Sequence, residues 1–272
     1  GLAQTGTGKT AAFGLPTLQR VDTLSLATQA IILDPTRELC MQTCSDLNDY
    51  AKYIDGLRIL PVYGGSSIEV QIRALRKGVQ IIVATPGRLL DLIRRGEVKL
   101  QEVNTVILDE ADEMLNMGFV DDINAISEHV PDTRKMLMFS ATMPPEIAEI
   151  AHRYMHEPKE YVIGTRNEGS ANVRHLYYMV RANDKYLALK RICDYLPRIY
   201  GIIFCRTRAM AQEIATQLIE DGYDADALHG DLSQAQRDAV MKKFRERNLQ
   251  LLVATDVAAR GLDVDNLTHI IS

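Results

Sequence analysis

Short, continuous apolar runs recur along the chain, and each is followed by a polar turn and then by a stretch with helical spacing. The runs are Ala30-Ile31-Ile32-Leu33, Ile81-Ile82-Val83, Val106-Ile107-Leu108 and Met136-Leu137-Met138-Phe139. After a gap come Ile202-Ile203-Phe204-Cys205 and Leu251-Leu252-Val253. Runs that are apolar throughout, rather than alternating, predict strands buried on both faces, the condition of a parallel sheet covered by helices. Strand alternating with helix predicts an α/β doubly wound sheet. Helical spacing is clear from Met210 to Ile219, with Gly222 placed to close the helix. It is clear again from Ala235 to Arg247, with Ser233 placed to cap its start.

Between Glu157 and His175 the pattern lapses. Pro158, Gly164, Asn167, Gly169, Ser170 and Asn172 are turn formers. They predict a connector, with a domain boundary near Gly164 to Ala171 that divides the chain into residues 1–165 and 166–272. A length of 272 residues suits two domains of ordinary size. The halves share an architecture without a close sequence repeat.

Composition narrows the classes. Hydrophobic residues at 46% and charged residues at 25% describe an ordinary globular chain. No run is long and apolar enough to span a bilayer, so no membrane association is expected. A net charge of −5 excludes a body coated in positive charge. It leaves room for a local stripe of Arg and Lys that holds nucleic acid. Cys40, Cys44, Cys193 and Cys205 lack the histidines and spacing of a zinc site. They read as free thiols of a reducing compartment, and a cytoplasmic location is expected.

Two motifs carry chemistry. Ala3-Gln4-Thr5-Gly6-Thr7-Gly8-Lys9-Thr10 is a glycine-rich loop ending in Lys-Thr. Gly6 and Gly8 let the backbone approach phosphate oxygens, Lys9 adds a cation at the β and γ phosphates, and the Thr10 hydroxyl can reach Mg2+. A bland reading, a glycine turn before a helix, fits any such loop taken alone. The second motif, Asp109-Glu110-Ala111-Asp112, directly follows the run Val106-Ile107-Leu108. A carboxylate at a strand end stands where open α/β sheets bind ligands. Asp109 can hold Mg2+, usually through water, and Glu110 can orient or deprotonate an attacking water. A solvated acidic turn is the bland alternative for the tetrapeptide alone. Both motifs on one chain point to ATP hydrolysis. Only Gly1 and Leu2 precede Ala3, where a phosphate loop normally follows a whole strand, and the chain reads as a piece of a longer protein.

With these residues, the chain resembles the DEAD-box RNA helicases of superfamily 2. Asp109-Glu110-Ala111-Asp112 matches the namesake motif, and Ala3 to Thr10 matches the family's form of the phosphate loop, with Ala3 where generic loops carry Gly. Further matches follow in the family's order. They are Pro35-Thr36-Arg37-Glu38-Leu39, Gly64-Gly65, Thr85-Pro86-Gly87-Arg88 and Ser140-Ala141-Thr142. Then come Ile203-Phe204-Cys205-Arg206-Thr207-Arg208, His229-Gly230-Asp231, Gln234 with Arg237, and Ala254-Thr255-Asp256 through Arg260-Gly261-Leu262-Asp263.

The resemblance implies two tandem RecA-like domains, each a mostly parallel sheet flanked by helices, truncated at both ends. It implies an ATP site formed by Thr5, Gly6, Thr7, Gly8, Lys9 and Thr10, with Asp263 at the ribose. Catalysis would rest on Lys9, Asp109 and Glu110, and Thr10 and Asp109 would serve Mg2+. Pro35, Thr36, Arg37, Gly64, Gly65, Thr85, Pro86, Gly87 and Arg88 would line an RNA track, with Arg237 and Thr255 on the second domain. Forked arginine donors suit phosphate oxygens, and such contacts position a strand without reading its bases. A solvent-facing helix residue is the bland alternative for Arg88. Ser140 and Thr142 would couple the acidic loop to domain closure, or cap a helix before Pro144-Pro145. His229 is either a structural support for its turn or an RNA contact, and Arg206 and Arg208 can be a solvated loop.

The family's adenine-recognising motif would lie before Gly1 and its arginine-rich motif after Ser272. An arginine finger contributes roughly 10³ to 10⁵ in rate in related nucleotide hydrolysis, so residues 1–272 alone are expected to turn over ATP poorly. The expected function is ATP-dependent, sequence-nonspecific binding of single-stranded RNA and local unwinding of short duplexes, with protein partners recruited through tails. An ATP-gated RNA clamp without unwinding and a DNA-directed superfamily 2 ATPase remain open. A strand-displacement assay separates the first, and a stronger ATPase response to DNA than to RNA would mark the second. Trp is absent and aromatics are only 6%, which favours a backbone grip over base stacking.

Overall fold

The structure, a computed structural model, describes residues 1–3, 7–155, 157–163, 173–259, 264 and 266–272, apart from the side chains of residues 257 and 259. The chain divides into two compact units, Gly1–Arg174 and His175–Ser272. The boundary expected near 165/166 lies outside the described residues.

In the first unit, α1 (Lys9–Arg20) is followed by β1 (Ala30–Leu33), α2 (Arg37–Tyr50), β2 (Ile59–Val62) and α3 (Ile68–Leu75). Then come β3 (Ile81–Ala84), α4 (Pro86–Arg94), β4 (Thr105–Leu108), α5 (Ala111–Asn116), α6 (Val120–Ser127), β5 (Lys135–Met138) and α7 (Pro145–Tyr154). The strands form one parallel sheet in the order β2-β3-β1-β4-β5. β1, β3 and β4 are buried at every position, because helices cover both faces. Ala30, Ile32, Ile81, Val83 and Ile107 pack with Phe13 and Leu18 of α1 and Cys40 and Leu47 of α2. Ile31, Leu33, Ile82, Val106 and Leu108 face the other way, onto Leu89, Leu92, Met114, Ile123 and Ile147 of α4 to α7. Each fully buried Ile or Leu contributes roughly 1.5–3 kcal/mol over an exposed one.

Beyond β5, Leu2 bridges Ser140 on one side and Val162 on the other, both in parallel. The residues before the phosphate loop are thus tied to the sheet: Ala3 N–H donates to Ser140 O at 3.0 Å and Leu2 N–H to Tyr161 O at 2.8 Å.

The second unit contains α8 (Lys185–Tyr195), β6 (Gly201–Cys205), α9 (Arg208–Glu220), β7 (Ala225–Leu228), α10 (Gln234–Arg245), β8 (Leu251–Thr255), α11 (Asp256–Ala259) and β9 (His269–Ile271). Its parallel sheet has the order β7-β8-β6-β9. α8 and α9 cover one face through Leu189, Cys193, Ala211, Ala215 and Leu218, and α10 covers the other through Val240, Met241 and Phe244. Gly222, at φ 89°, ends α9, with Tyr223 N–H reaching back to Leu218 O at 2.9 Å. Ser233 and Gln236 cap α10 reciprocally.

Candidate active site

In the first unit every motif falls at the C-terminal edge of the sheet. Gly64-Gly65 follows β2, Thr85 to Arg88 follow β3, Pro35 to Arg37 follow β1, Asp109-Glu110 follow β4, and Ser140 to Thr142 follow β5. Sheet order therefore sorts them. The loops after β2, β3 and β1 occupy one half of the edge, and the loops after β4 and β5 the other. The phosphate loop starts beside β5, through Leu2 and Ala3.

Thr5 and Gly6 lie outside the described residues. Gly8 takes a left-handed conformation, φ 88° and ψ 22°, as the N-cap of α1, and no side chain caps the helix. Its first-turn N–H groups and the positive end of its dipole suit an anion. Thr7 is exposed, Lys9 is the first residue of α1, and Thr10 follows, half-buried. Lys9 is only 8% exposed, and its Nζ donates to Glu110 Oε1 at 2.5 Å. An ammonium so far out of water needs a carboxylate partner. The pair joins the phosphate loop to the acidic loop across 101 residues of sequence.

Glu110 adopts φ 48° and ψ 53°, a left-handed conformation that costs a non-glycine residue energy and clusters at functional sites. Its N–H donates to Asp109 Oδ1 at 3.0 Å, and the next N–H, of Ala111, donates to Phe139 O. Asp109 is buried, at 3% exposure. Burial, and then the Glu110 carboxylate, push its carboxyl up to about 6, against the opposing pull of Lys9. On the neighbouring strand, where Leu33 pairs with Leu108, Asp34 is fully buried and neither of its carboxylate oxygens has a hydrogen-bond partner. Burial and the adjacent Asp109 hold the Asp34 carboxyl well above the ordinary range. The nearby Thr43 hydroxyl pulls the other way. Sequence reading missed Asp34; its signal was a carboxylate directly after the apolar run Ala30 to Leu33.

This crevice fits Mg2+. Thr10 and Asp109 offer the oxygen donors a hard ion takes. Among the described residues Asp34, Asp109 and Glu110 interact with one another, and Asp112 with Asp109, so a divalent charge would relieve their repulsion.

Ser140 and Thr142 bind the acidic loop rather than capping a helix. Thr142 Oγ1 and N–H donate to Asp112 Oδ2 at 2.7 and 2.9 Å. Ser140 Oγ donates to Thr142 O at 2.7 Å and accepts from Asp112 N–H at 3.2 Å. The N-cap of α7 is Pro144, with no side-chain cap, which corrects the helix-capping alternative.

On the other half of the edge, Pro35 and Thr36 are buried, and the Thr36 hydroxyl accepts from Leu39 N–H at 3.2 Å to cap α2. Arg37 lies over the Tyr63 ring at 5.4 Å. A Cβ on Gly65, which sits at φ 85°, would stand 3.2 Å from Arg37 Nη1. Thr85 is the N-cap and Pro86 the first residue of α4, and Gly87 is exposed. Arg88 is not a solvent-facing helix residue. It is half-buried, and its Nη1 donates to Ser66 O at 3.2 Å and Gln71 Oε1 at 3.0 Å. The three loops are thus braced against one another.

In the second unit, Thr255 is buried at the end of β8, and Arg237 of α10 reaches Ala258 O at 3.5 Å. Asp263 lies outside the described residues. His229 is buried and engaged at both ring nitrogens, with Gln212 Oε1 at 3.1 Å and Asp231 N at 3.4 Å, the arrangement of a turn support. Arg208 pairs with Asp231 at 2.6 Å on the surface. The four cysteines are free and buried. No helix among the described residues is long and apolar enough to cross a membrane.

A phosphate loop opening a helix, tied by its lysine to an acidic loop at the end of a parallel strand, defines the nucleotide unit of a P-loop NTPase. The sequence profile described as DEAD/DEAH box helicase matches residues 1–150, and that described as Helicase conserved C-terminal domain matches 184–272. The chain belongs to the DEAD/DEAH box helicase family. It is 48% identical to DEAD-box ATP-dependent RNA helicase CshA of Geobacillus kaustophilus, over 99% of this chain and 58% of that protein. It is 47% identical to ATP-dependent RNA helicase CshA of Listeria monocytogenes, over 99% of this chain and 52% of that protein. The chain thus spans about half the length of the curated relatives it matches. Among solved structures it resembles S. cerevisiae Dbp5 bound to RNA and ADP BeF3, with TM-score 0.86, 30% identity, and 99% and 68% of the two chains covered. It also resembles a DEAD box protein from Methanococcus jannaschii, with TM-score 0.57, 41% identity, and 99% and 72% covered. Both units have the RecA-like architecture of these neighbours.

Proposed function

We propose that the protein is an ATP-dependent RNA helicase that grips single-stranded RNA by its backbone and locally unwinds short duplexes. The sorting of loops along one sheet edge carries this reading. Acidic and phosphate loops gather at β4, β5 and α1, while glycine and arginine loops gather at β2, β3 and β1. A nucleotide and a polyanion can then sit side by side on one edge. Asp109 and Asp34, directly after the adjacent strands β4 and β1, lie where the two halves meet.

In this reading Lys9 exchanges partners. Without nucleotide its ammonium pairs with Glu110. The β and γ phosphates of ATP draw Lys9 away, and the Glu110 carboxylate accepts a hydrogen bond from the attacking water. Water oxygen bonds to the γ phosphorus as the bond to the β-bridging oxygen breaks, and the water proton passes to Glu110. Mg2+, held by Thr10 and Asp109, would supply charge neutralisation between the phosphates. Ser140 and Thr142, through Asp112, report the state of the acidic loop to the chain after β5. Arg37, Arg88 and the exposed backbone of Gly64-Gly65 take RNA phosphates, and Arg237 and Thr255 add contacts from the second unit. Buried free thiols fit a cytoplasmic location.

ATP and RNA then raise one another's affinity by the same factor. The test is the affinity of the protein for single-stranded RNA with a non-hydrolysable ATP analogue, with ADP and without nucleotide, beside strand displacement from a short duplex. Tighter RNA binding with the analogue, equalled by tighter analogue binding with RNA, supports the reading. RNA affinity indifferent to nucleotide refutes it. Coupled binding without displacement assigns the clamp instead.

A further inference from the structure

α3 packs its apolar residues only partly: Ile68, Ile72 and Leu75 are half-buried. Its one buried residue is a glutamine, Gln71, at 5% exposure. A buried carboxamide must satisfy both ends, and here both ends meet residues of the RNA-type loops. Nε2 donates to Tyr63 O at 3.1 Å and to Ser66 Oγ at 2.5 Å. Oε1 accepts from Arg88 Nη1 at 3.0 Å. The orientation of the amide is fixed by its partners: a guanidinium only donates and a carbonyl oxygen only accepts, so a flipped amide would oppose like with like. Tyr63 and Ser66 flank Gly64-Gly65, and Ser66 O takes the second bond of the same Arg88 nitrogen.

We propose that Gln71 is a positioning residue for RNA: it locks the Gly64-Gly65 loop to Arg88 and holds the guanidinium so that its remaining edge faces a phosphate. Nε and Nη2 of Arg88 make no hydrogen bond among the described residues, which leaves that edge of the fork for a bidentate phosphate contact. Gly64 and Gly65 bring no side chains of their own, so the loop is held at its flanks: Ser66 Oγ donates to Tyr63 O at 3.4 Å, Gln71 bonds both residues, and Arg37 lies over the Tyr63 ring. A free Arg88 side chain would have to lose its rotamer freedom at the moment RNA binds; Gln71 removes that cost in advance. The inference rests on the RNA reading proposed above.

The test compares wild type, Gln71→Met, Arg88→Ala and the double variant for affinity to a homopolymeric single-stranded RNA, with a non-hydrolysable ATP analogue, over a series of salt concentrations. Gln71→Met is expected to weaken RNA binding about tenfold, the loss of one positioned charged hydrogen bond. It is also expected to lower the slope of log affinity against log salt by about one, as Arg88→Ala does, although it removes no charge. In the Arg88→Ala background it should add little, and analogue affinity without RNA should stay at the wild-type value. Gln71→Glu, which keeps the acceptor for Arg88 and loses both donor bonds, serves if the methionine variant does not fold, and should bind RNA between wild type and Arg88→Ala. An unchanged salt slope, full additivity with Arg88→Ala, or a parallel loss of analogue affinity would overturn the positioning role. If the wild type itself binds no RNA, the RNA reading fails; if wild type binds and only Arg88→Ala weakens it, Gln71 alone is misassigned.

Discussion

Replacing Asp109 by Asn should make the metal-free protein more stable at neutral pH while abolishing its function. Asp109 is 3% exposed and its carboxyl is raised from 3.8 to about 6 by burial and by the Glu110 charge. Asp112 adds to the repulsion, while Lys9 and the Glu110 N–H bond to Asp109 oppose it. The folded state therefore holds this proton more tightly than the unfolded chain does. Below the unfolded value both states are protonated and nothing is lost. As pH rises from there to about 6, stability falls, and above that the loss is complete, at about 3 kcal/mol. The amide carries no such loss. Native-state hydrogen exchange of the β1 and β4 amides reports opening of this unit. Between about pH 5 and about pH 7.5 the advantage of Asp109→Asn over wild type should grow by about 1.5 kcal/mol. Saturating Mg2+ and ATP should erase the advantage, since the divalent charge favours the carboxylate and not the amide. A gap independent of pH, or a wild type more stable than the variant at neutral pH without metal, would refute the reasoning.

Three further outcomes follow from the geometry. Thr142→Val removes the 2.7 Å bond to Asp112 but leaves the Thr142 N–H bond in place. It should cost within about 1 kcal/mol of stability, read by urea unfolding, and depress strand displacement more than ATP turnover. Lys9→Met removes the ammonium from Glu110 and from the phosphates, so ATP affinity measured by calorimetry should fall at least about tenfold, with RNA affinity in the absence of nucleotide unchanged. Ile107→Ala, in the fully buried centre of β4, should cost about 2–5 kcal/mol in the unfolding transition of the first unit.

What the sequence disclosed tracks what each residue is buried against. β1, β3, β4, β6 and β8 read as unbroken apolar runs because helices seal both faces; β1 has the limits of its run, and the others depart by a residue or two. β2, β7 and β9 escaped notice. All three are edge strands, and the first two carry Pro61 and Asp226. The chemistry was legible where a residue type has few other uses: a glycine loop ending in Lys-Thr, or a carboxylate pair at a strand end. What stayed hidden were relations between distant residues. The pairing of Lys9 with Glu110, the carboxylate neighbours Asp34 and Asp109, the Asp112–Thr142 bonds and the Gln71–Arg88 brace all depend on strand order, which local patterning does not encode. Gln71 in particular sits in a helix whose sequence, Ile68 to Leu75, reads as an ordinary amphipathic surface element.

The central claim is that Lys9, Asp109 and Glu110 form one hydrolytic site whose turnover RNA controls. The direct measurement is ATP hydrolysis by the full-length protein with and without single-stranded RNA, for wild type and Glu110→Gln, beside ATP affinity. RNA should accelerate wild-type turnover, and Glu110→Gln should lower it by about 10² to 10⁴ while ATP affinity is retained. Turnover in Glu110→Gln equal to that of wild type, or hydrolysis indifferent to RNA, would contradict the account.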